Sequence, residues 1–166
     1  MKTLIGLVDD HQLFLKSLSM MLESFGKFTV VVEASDGKDL QKKLENEKAL
    51  PEIMLIDVNM PVMDGVETAT SLFKKYPSIK LVALTMDDND QSIIKMFKAG
   101  CCAYLLKDVH PNELEKALIQ VKEKGFYNAD ARMCISGIYY CIPILNMQKL
   151  NLHPGNRSFS NLPAAI

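Results

Sequence analysis

Ile53-Met54-Leu55-Ile56-Asp57, continued by Val58-Asn59-Met60-Pro61-Val62-Met63-Asp64-Gly65, decides how this chain is read. The apolar run Ile53 to Ile56 predicts a short strand covered on both faces, because a strand with one wet face would alternate. That strand ends on a carboxylate, Asp57. Pro61 then blocks extension of the strand, and Gly65 permits the tight entry into the next helix. Asp64 followed by Glu67 resembles a capping box at the head of that helix.

The same unit recurs on both sides. Leu4 to Val8, Phe28 to Val32, Leu81 to Leu84 and Ala103 to Leu106 are further strand candidates. Helical spacing marks the stretches between them, as in Phe14, Leu18, Met21, Leu22 and Phe25, and in Leu114, Ala117, Leu118 and Val121. Pro111 suits a first helical turn, and Gly26, Gly100 and Gly125 lie where helices should stop. Strands alternating with helices from Leu4 to about Gly125 predict an α/β fold, a (βα)5 doubly wound domain. Beyond it, Cys134 to Leu152 is apolar without a clear period, and His153 to Ile166 is punctuated by Pro, Gly, Ser and Asn. The expected division is a domain over residues 1–126 and a short irregular tail over 127–166.

A chain of 166 residues fits one such domain plus a tail. With 48% hydrophobic and 23% charged residues it can bury a core and is not disordered. Lys+Arg 19 against Asp+Glu 20 leaves a net charge of −1, which gives no nucleic-acid footprint. No apolar run approaches the roughly 20 residues that span a bilayer, and Met1-Lys2-Thr3-Leu4 does not lead into a signal-peptide core. A cytoplasmic protein without membrane contact is expected. Cys101-Cys102, Cys134 and Cys141 lack zinc-ligand spacing and read as reduced structural thiols.

In an open α/β sheet, ligands bind outside the carboxyl ends of the strands. Here those ends are polar: Asp9-Asp10 after the first, Asp57 after the third, Thr85 after the fourth, Lys107 after the fifth. Strand-end caps and turns would account for any one of them. All of them at one edge argue for chemistry. Three converging carboxylates repel unless a cation sits among them, and oxygen ligands favour Mg²⁺. Mg²⁺ and the Lys107 ammonium can then neutralise phosphoryl oxygens, Thr85 can donate a hydrogen bond, and one carboxylate is left as nucleophile. His11 reads as a solvated first-turn residue, since imidazole suits Mg²⁺ poorly.

Val8-Asp9-Asp10-His11, the run Ile56 to Gly65, Leu84-Thr85 and Tyr104-Leu105-Leu106-Lys107-Asp108 together resemble a two-component response-regulator receiver domain of the CheY-like kind, over about residues 2 to 126. The Asp-Asp-His start, the Tyr-Leu-Leu-Lys-Asp run and Gly125-Phe126-Tyr127 resemble its NarL/LuxR branch. The resemblance implies a flavodoxin-like sheet of strand order 2-1-3-4-5. It implies that Asp57 accepts a phosphoryl group from a sensor histidine kinase or a small phosphodonor. Asp10, Asp57 and the Asn59 carbonyl would hold Mg²⁺, with Asp9 acting partly through coordinated water. Lys107 would pair with Asp57 and later with the phosphoryl oxygens. Thr85 and Tyr104 would form the switch that moves the fourth helix, fifth strand and fifth helix. Met86 would restrict access to the phosphate, and Asn59 and Asp87 would tune its lifetime.

A signalling switch with at most slow self-dephosphorylation is therefore expected, not a metabolic enzyme, with a homodimer through the last two βα units. DNA binding would need a helix-turn-helix output domain, which residues 127–166 do not resemble. The tail then reads as private to a stand-alone receiver, as a cut at a linker, or as an out-of-frame remnant; Ile138 to Ile142 would be an extra strand or a pairing patch. Two alternatives from other classes are weaker. A flavodoxin-like cofactor binder would find Asp9-Asp10-His11 repelling its phosphate. A Mg²⁺-dependent phosphohydrolase with an aspartyl intermediate would need D-x-D after the first strand.

Overall fold

A computed structural model describes residues 1–47, 49–86 and 89–127 of the chain. Its elements run β1 (Thr3–Val8), α1 (Gln12–Ser24), β2 (Phe28–Ala34), α2 (Gly37–Asn46), β3 (Ile53–Asp57), α3 (Gly65–Lys75), β4 (Lys80–Thr85), α4 (Asp90–Lys98), β5 (Cys101–Leu106) and α5 (Pro111–Lys124). The strands form one parallel five-stranded sheet of order β2-β1-β3-β4-β5. This is the flavodoxin-like arrangement expected from the sequence.

The sheet is covered on both faces, as the unbroken apolar runs required. Along β3 the pleat sends Ile53 and Leu55 to one side and Met54 and Ile56 to the other. The first pair packs with Leu15, Leu18 and Leu22 of α1 and with Leu114, Ala117, Leu118 and Val121 of α5. The second packs with Leu40 and Leu44 of α2, Leu72 of α3, and Met96 and Phe97 of α4. All of β3 is buried, whereas Val30 and Val31 of the edge strand β2 are only half-buried.

The strands reach further than the apolar runs. β3 includes Asp57, β4 runs from Lys80 to Thr85, and β5 begins at Cys101 instead of Ala103. Ladder hydrogen bonds belong to the backbone and continue through polar side chains. On α1 the buried stripe is Leu15, Leu18 and Leu22, with Phe14, Met21 and Phe25 flanking it. Gly125, at φ 86, ends α5 in the left-handed conformation that glycine adopts without strain. Just past it, Tyr127 is buried, donating its N–H to the Cys102 carbonyl and its hydroxyl to Glu113.

Cys101 is buried, and Cys102, half-buried, donates its thiol to the Leu81 carbonyl at 3.3 Å. Among the described residues, no helix is long and apolar enough to cross a membrane. The expectations for Asp87, Cys134, Cys141, Ile138 to Ile142 and the rest of the tail lie outside the described residues.

Candidate functional site

The polar residues that close the strands meet because the parallel ladder stays in register to the edge. Val8 stands beside Ile56, Asp57 beside Leu84, and Thr85 beside Leu106. Asp9, Asp57, Thr85 and Lys107 therefore emerge side by side. Asp9 N–H donates to the Ala34 carbonyl at 3.0 Å and Lys107 N–H to the Thr85 carbonyl at 2.7 Å, tying both loops to their neighbouring strands.

Lys107 joins the carboxylates. Its Nζ lies 2.7 Å from Asp9 Oδ2 and 3.1 Å from Asp57 Oδ2, and each of the three side chains is at most 5% exposed. Burial pushes the Asp57 carboxyl above its ordinary value; Lys107 pulls it down, Asp9 pushes it up, and a hydrogen bond from the Asn59 backbone N–H favours the ionised form. Asn59 itself is exposed in the loop after β3.

Asp10 is half-buried, and its Oδ1 is enclosed without a hydrogen-bond partner among the described residues. His11 Nδ1 is 3.1 Å from it, close enough to form an ion pair when the imidazole is protonated but not aligned for a hydrogen bond. An enclosed carboxylate oxygen without a partner is costly unless a cation meets it. Asp9, Asp10, His11 and Asp57 each present a ligand atom, all within 4.8 Å of one another. Three carboxylates against one ammonium leave two negative charges, which suits a hard divalent cation held by oxygen. Mg²⁺ fits this set. His11 is exposed, as expected, but it stands at the N-cap position of α1, ahead of the first turn and without a side-chain cap, with Nδ1 3.3 Å from Asp9 Oδ1.

Thr85 is fully buried at the end of β4. Tyr104 stands opposite Ala83 and is 8% exposed, in the core that also holds Ile56, Met96 and Phe97. Met86 lies at the rim and is 77% exposed. Across the crevice, α3 seats tightly against the end of β3. A Cβ on Gly65 would fall 2.3 Å from the Asp57 carbonyl oxygen and 2.7 Å from Val58 Cα, so only glycine fits. Asp64 accepts a hydrogen bond from the Glu67 N–H at 2.8 Å, the cap its spacing predicted. Val62, in the intervening loop, has φ 71, an uncommon conformation for a β-branched residue and a local store of strain.

Sequence reasoning missed Phe14. Its ring lies 4.8 Å from Lys107 Nζ, so a residue read as core also walls the site. The available signal was its place in the first turn of the helix that follows Asp9-Asp10.

Comparison with known proteins agrees with this geometry. The family profile described as "Response regulator receiver domain" matches residues 5–119. The chain is 33% identical over 126 residues to the transcriptional regulatory protein DegU of Brevibacillus brevis, covering 76% of this chain and 52% of that protein. It is 35% identical over 119 residues to the nitrate/nitrite response regulator protein NarL of Escherichia coli K12, covering 70% and 53%. The chain thus spans about half the length of the curated relatives it matches. Among solved structures, the receiver domain of the putative response regulator NarL from Mycobacterium tuberculosis superposes with a TM-score of 0.68 at 27% identity, covering 74% of this chain and 97% of that one. The chain belongs to the response regulator receiver domain family, a family of signalling domains, on the branch that NarL and DegU represent.

Proposed function

We propose that this chain is a phospho-acceptor switch in which Asp57 takes a phosphoryl group from the phosphohistidine of a sensor histidine kinase, with Mg²⁺ bound. The observation that carries the reading is the ammonium of Lys107 held between Asp9 and Asp57 at the carboxyl edge of the sheet. A phosphohydrolase with an aspartyl intermediate would carry its nucleophile after the first strand as D-x-D, whereas here the first strand is followed by Asp9-Asp10-His11 and Asp57 closes the third.

In the transfer, an Asp57 carboxylate oxygen bonds to phosphorus as the phosphorus–nitrogen bond to imidazole breaks, and the imidazole, already protonated on its other ring nitrogen, takes the bond's electron pair and leaves as the neutral ring. Asp9, Asp10, Asp57 and the Asn59 carbonyl are the residues to hold Mg²⁺, Asp9 partly through water. The ion supplies charge neutralisation for the phosphoryl oxygens. Lys107 favours the ionised form of Asp57 against its burial, then turns to a phosphoryl oxygen as a charge-assisted donor. Thr85 donates its hydroxyl to the new phosphate, and Tyr104 follows into the space Thr85 leaves. That movement biases the face built from α4, β5 and α5, where a second copy would dock. Met86 screens the phosphate, and Asn59 contributes to its slow loss.

The relatives named above are a transcriptional regulator and a response regulator. We place this receiver, over about residues 1–126 with 127–166 as linker or tail, in the cytoplasm as the input of such a regulator, with DNA contact outside the receiver. Intact mass after incubation with a small phosphodonor tests the reading. One phosphoryl adduct is expected, dependent on Mg²⁺ and missing from Asp57→Asn. An adduct of equal yield in Asp57→Asn overturns it.

A further inference from the structure

Lys107 has three N–H donors and no acceptor, and its side chain is only 5% exposed. Asp9 and Asp57 engage it on one side, at 2.7 and 3.1 Å. The face of Phe14 also lies against the ammonium, with its ring centroid 4.8 Å from Nζ. A buried ammonium with one donor facing an aliphatic wall would lose hydration without return. An aromatic face, negative at its centre, offers the ammonium an electrostatic partner.

Phe14 is held where it can do this. Its neighbour Leu15 is buried beneath α1, and Phe14 packs on the flank of the same core that contains Leu7, Leu55 and Leu105. Lys107 follows β5 directly and is tied by its N–H to the Thr85 carbonyl. The ring thus belongs to a rigid helix and the lysine to a rigid strand end, so their separation is set by the packing of α1 on the sheet.

We propose that Phe14 is a positioning residue for phosphoryl transfer: its ring holds the Lys107 ammonium in the crevice, over Asp57, through a cation–π contact. The inference rests on the phospho-acceptor reading and adds to it the residue that fixes the counter-charge. The ring does not touch the phosphoryl group. It confines the ammonium to the positions from which one small movement takes it from the carboxylate to a phosphoryl oxygen, and it keeps water from that side.

The test separates charge–quadrupole attraction from packing. Phe14 is replaced site-specifically, in the full chain, by phenylalanines with one, two and three ring fluorines, which keep the ring's shape and apolarity while weakening its negative face. The rate of phosphorylation by a small phosphodonor is expected to fall stepwise with each fluorine. Phe14→Leu should lose about fivefold to tenfold, and Phe14→Tyr should stay near the native rate. Thermal unfolding should vary little across the fluorinated series. A flat rate across the series, with the native chain active, overturns the inference while leaving the phospho-acceptor reading intact.

Nuclear magnetic resonance of the Lys107 side chain gives a second readout that needs no phosphorylation. Its ε-methylene protons should carry an upfield ring-current shift in the native chain and lose it in Phe14→Leu. An unshifted signal in the native chain also overturns the inference, whether or not Asp57 takes phosphate.

Discussion

Asp57 is a carboxylate placed where burial opposes its charge. Desolvation and the neighbouring Asp9 raise its pKa, and Lys107 only partly offsets them. The folded state therefore binds this proton more tightly than the unfolded state does. Stability falls as pH rises from the ordinary aspartate range through the raised native value, and above it the whole cost is present. In metal-free buffer at neutral pH, Asp57→Asn should accordingly unfold at a higher temperature than the native chain, by about a few degrees. Well below the ordinary aspartate range, the two should converge. Saturating Mg²⁺ should reverse the neutral-pH order, because a ligand that binds only the folded state stabilises it. Calorimetry of both proteins, with and without Mg²⁺, checks all three statements. At this scale the sequence was largely legible: Asp9, Asp57, Thr85 and Lys107 each directly follow or close an apolar run, and Asp10 stands next to Asp9. Phe14 was not, because helical spacing assigns an aromatic residue to a core stripe and says nothing of a cation beyond the stripe's end.

Among the elements, the joint between β3 and α3 packs directly against the strand end that carries Asp57. Gly65 N–H donates to the Val58 carbonyl at 3.0 Å, and the helix begins in contact with the strand's last carbonyl. Gly65→Ala puts a methyl group at 2.3 Å from that oxygen, so strand end or helix must shift. We expect a loss of about 1–3 kcal/mol, the usual cost of overpacking, together with slower phosphorylation. Denaturant unfolding at an unchanged m-value, paired with the phosphorylation rate, measures both. Stability and rate equal to the native chain's would contradict this. Gly65 was read from the sequence as permitting tight entry into the next helix; the structure supplies the physical reason, the space a Cβ would need. Such reasons are invisible in a sequence because the contact is made by residues that folding brings together. The same limit applies to strand ends: the apolar run stops at Ile56, but β3 includes Asp57.

For the whole molecule, the sheet places the crevice beside the face that α4 and β5 share. Thr85 ends β4, Tyr104 lies one strand over, and Met96 and Phe97 of α4 complete that core. A phosphoryl group held by the Thr85 hydroxyl would be felt there as a shift between two packings. Thr85→Ala should still accept phosphate, but without the change in amide exchange over α4 and β5 that phosphorylation produces in the native chain. An undiminished change in Thr85→Ala would assign the coupling to another residue. The (βα)5 pattern was readable because each unit repeats one alternation of apolar run and helical stripe. The strand order came from the resemblance, since periodicity does not say which strand lies beside which. The most direct test of the central claim locates the phosphate itself. Borohydride reduction of the phosphorylated chain converts an aspartyl phosphate to homoserine, and peptide mapping then finds the converted position. Conversion at Asp57 alone is the expected result; conversion at Asp9 or Asp10, or label retained on His11, would contradict it.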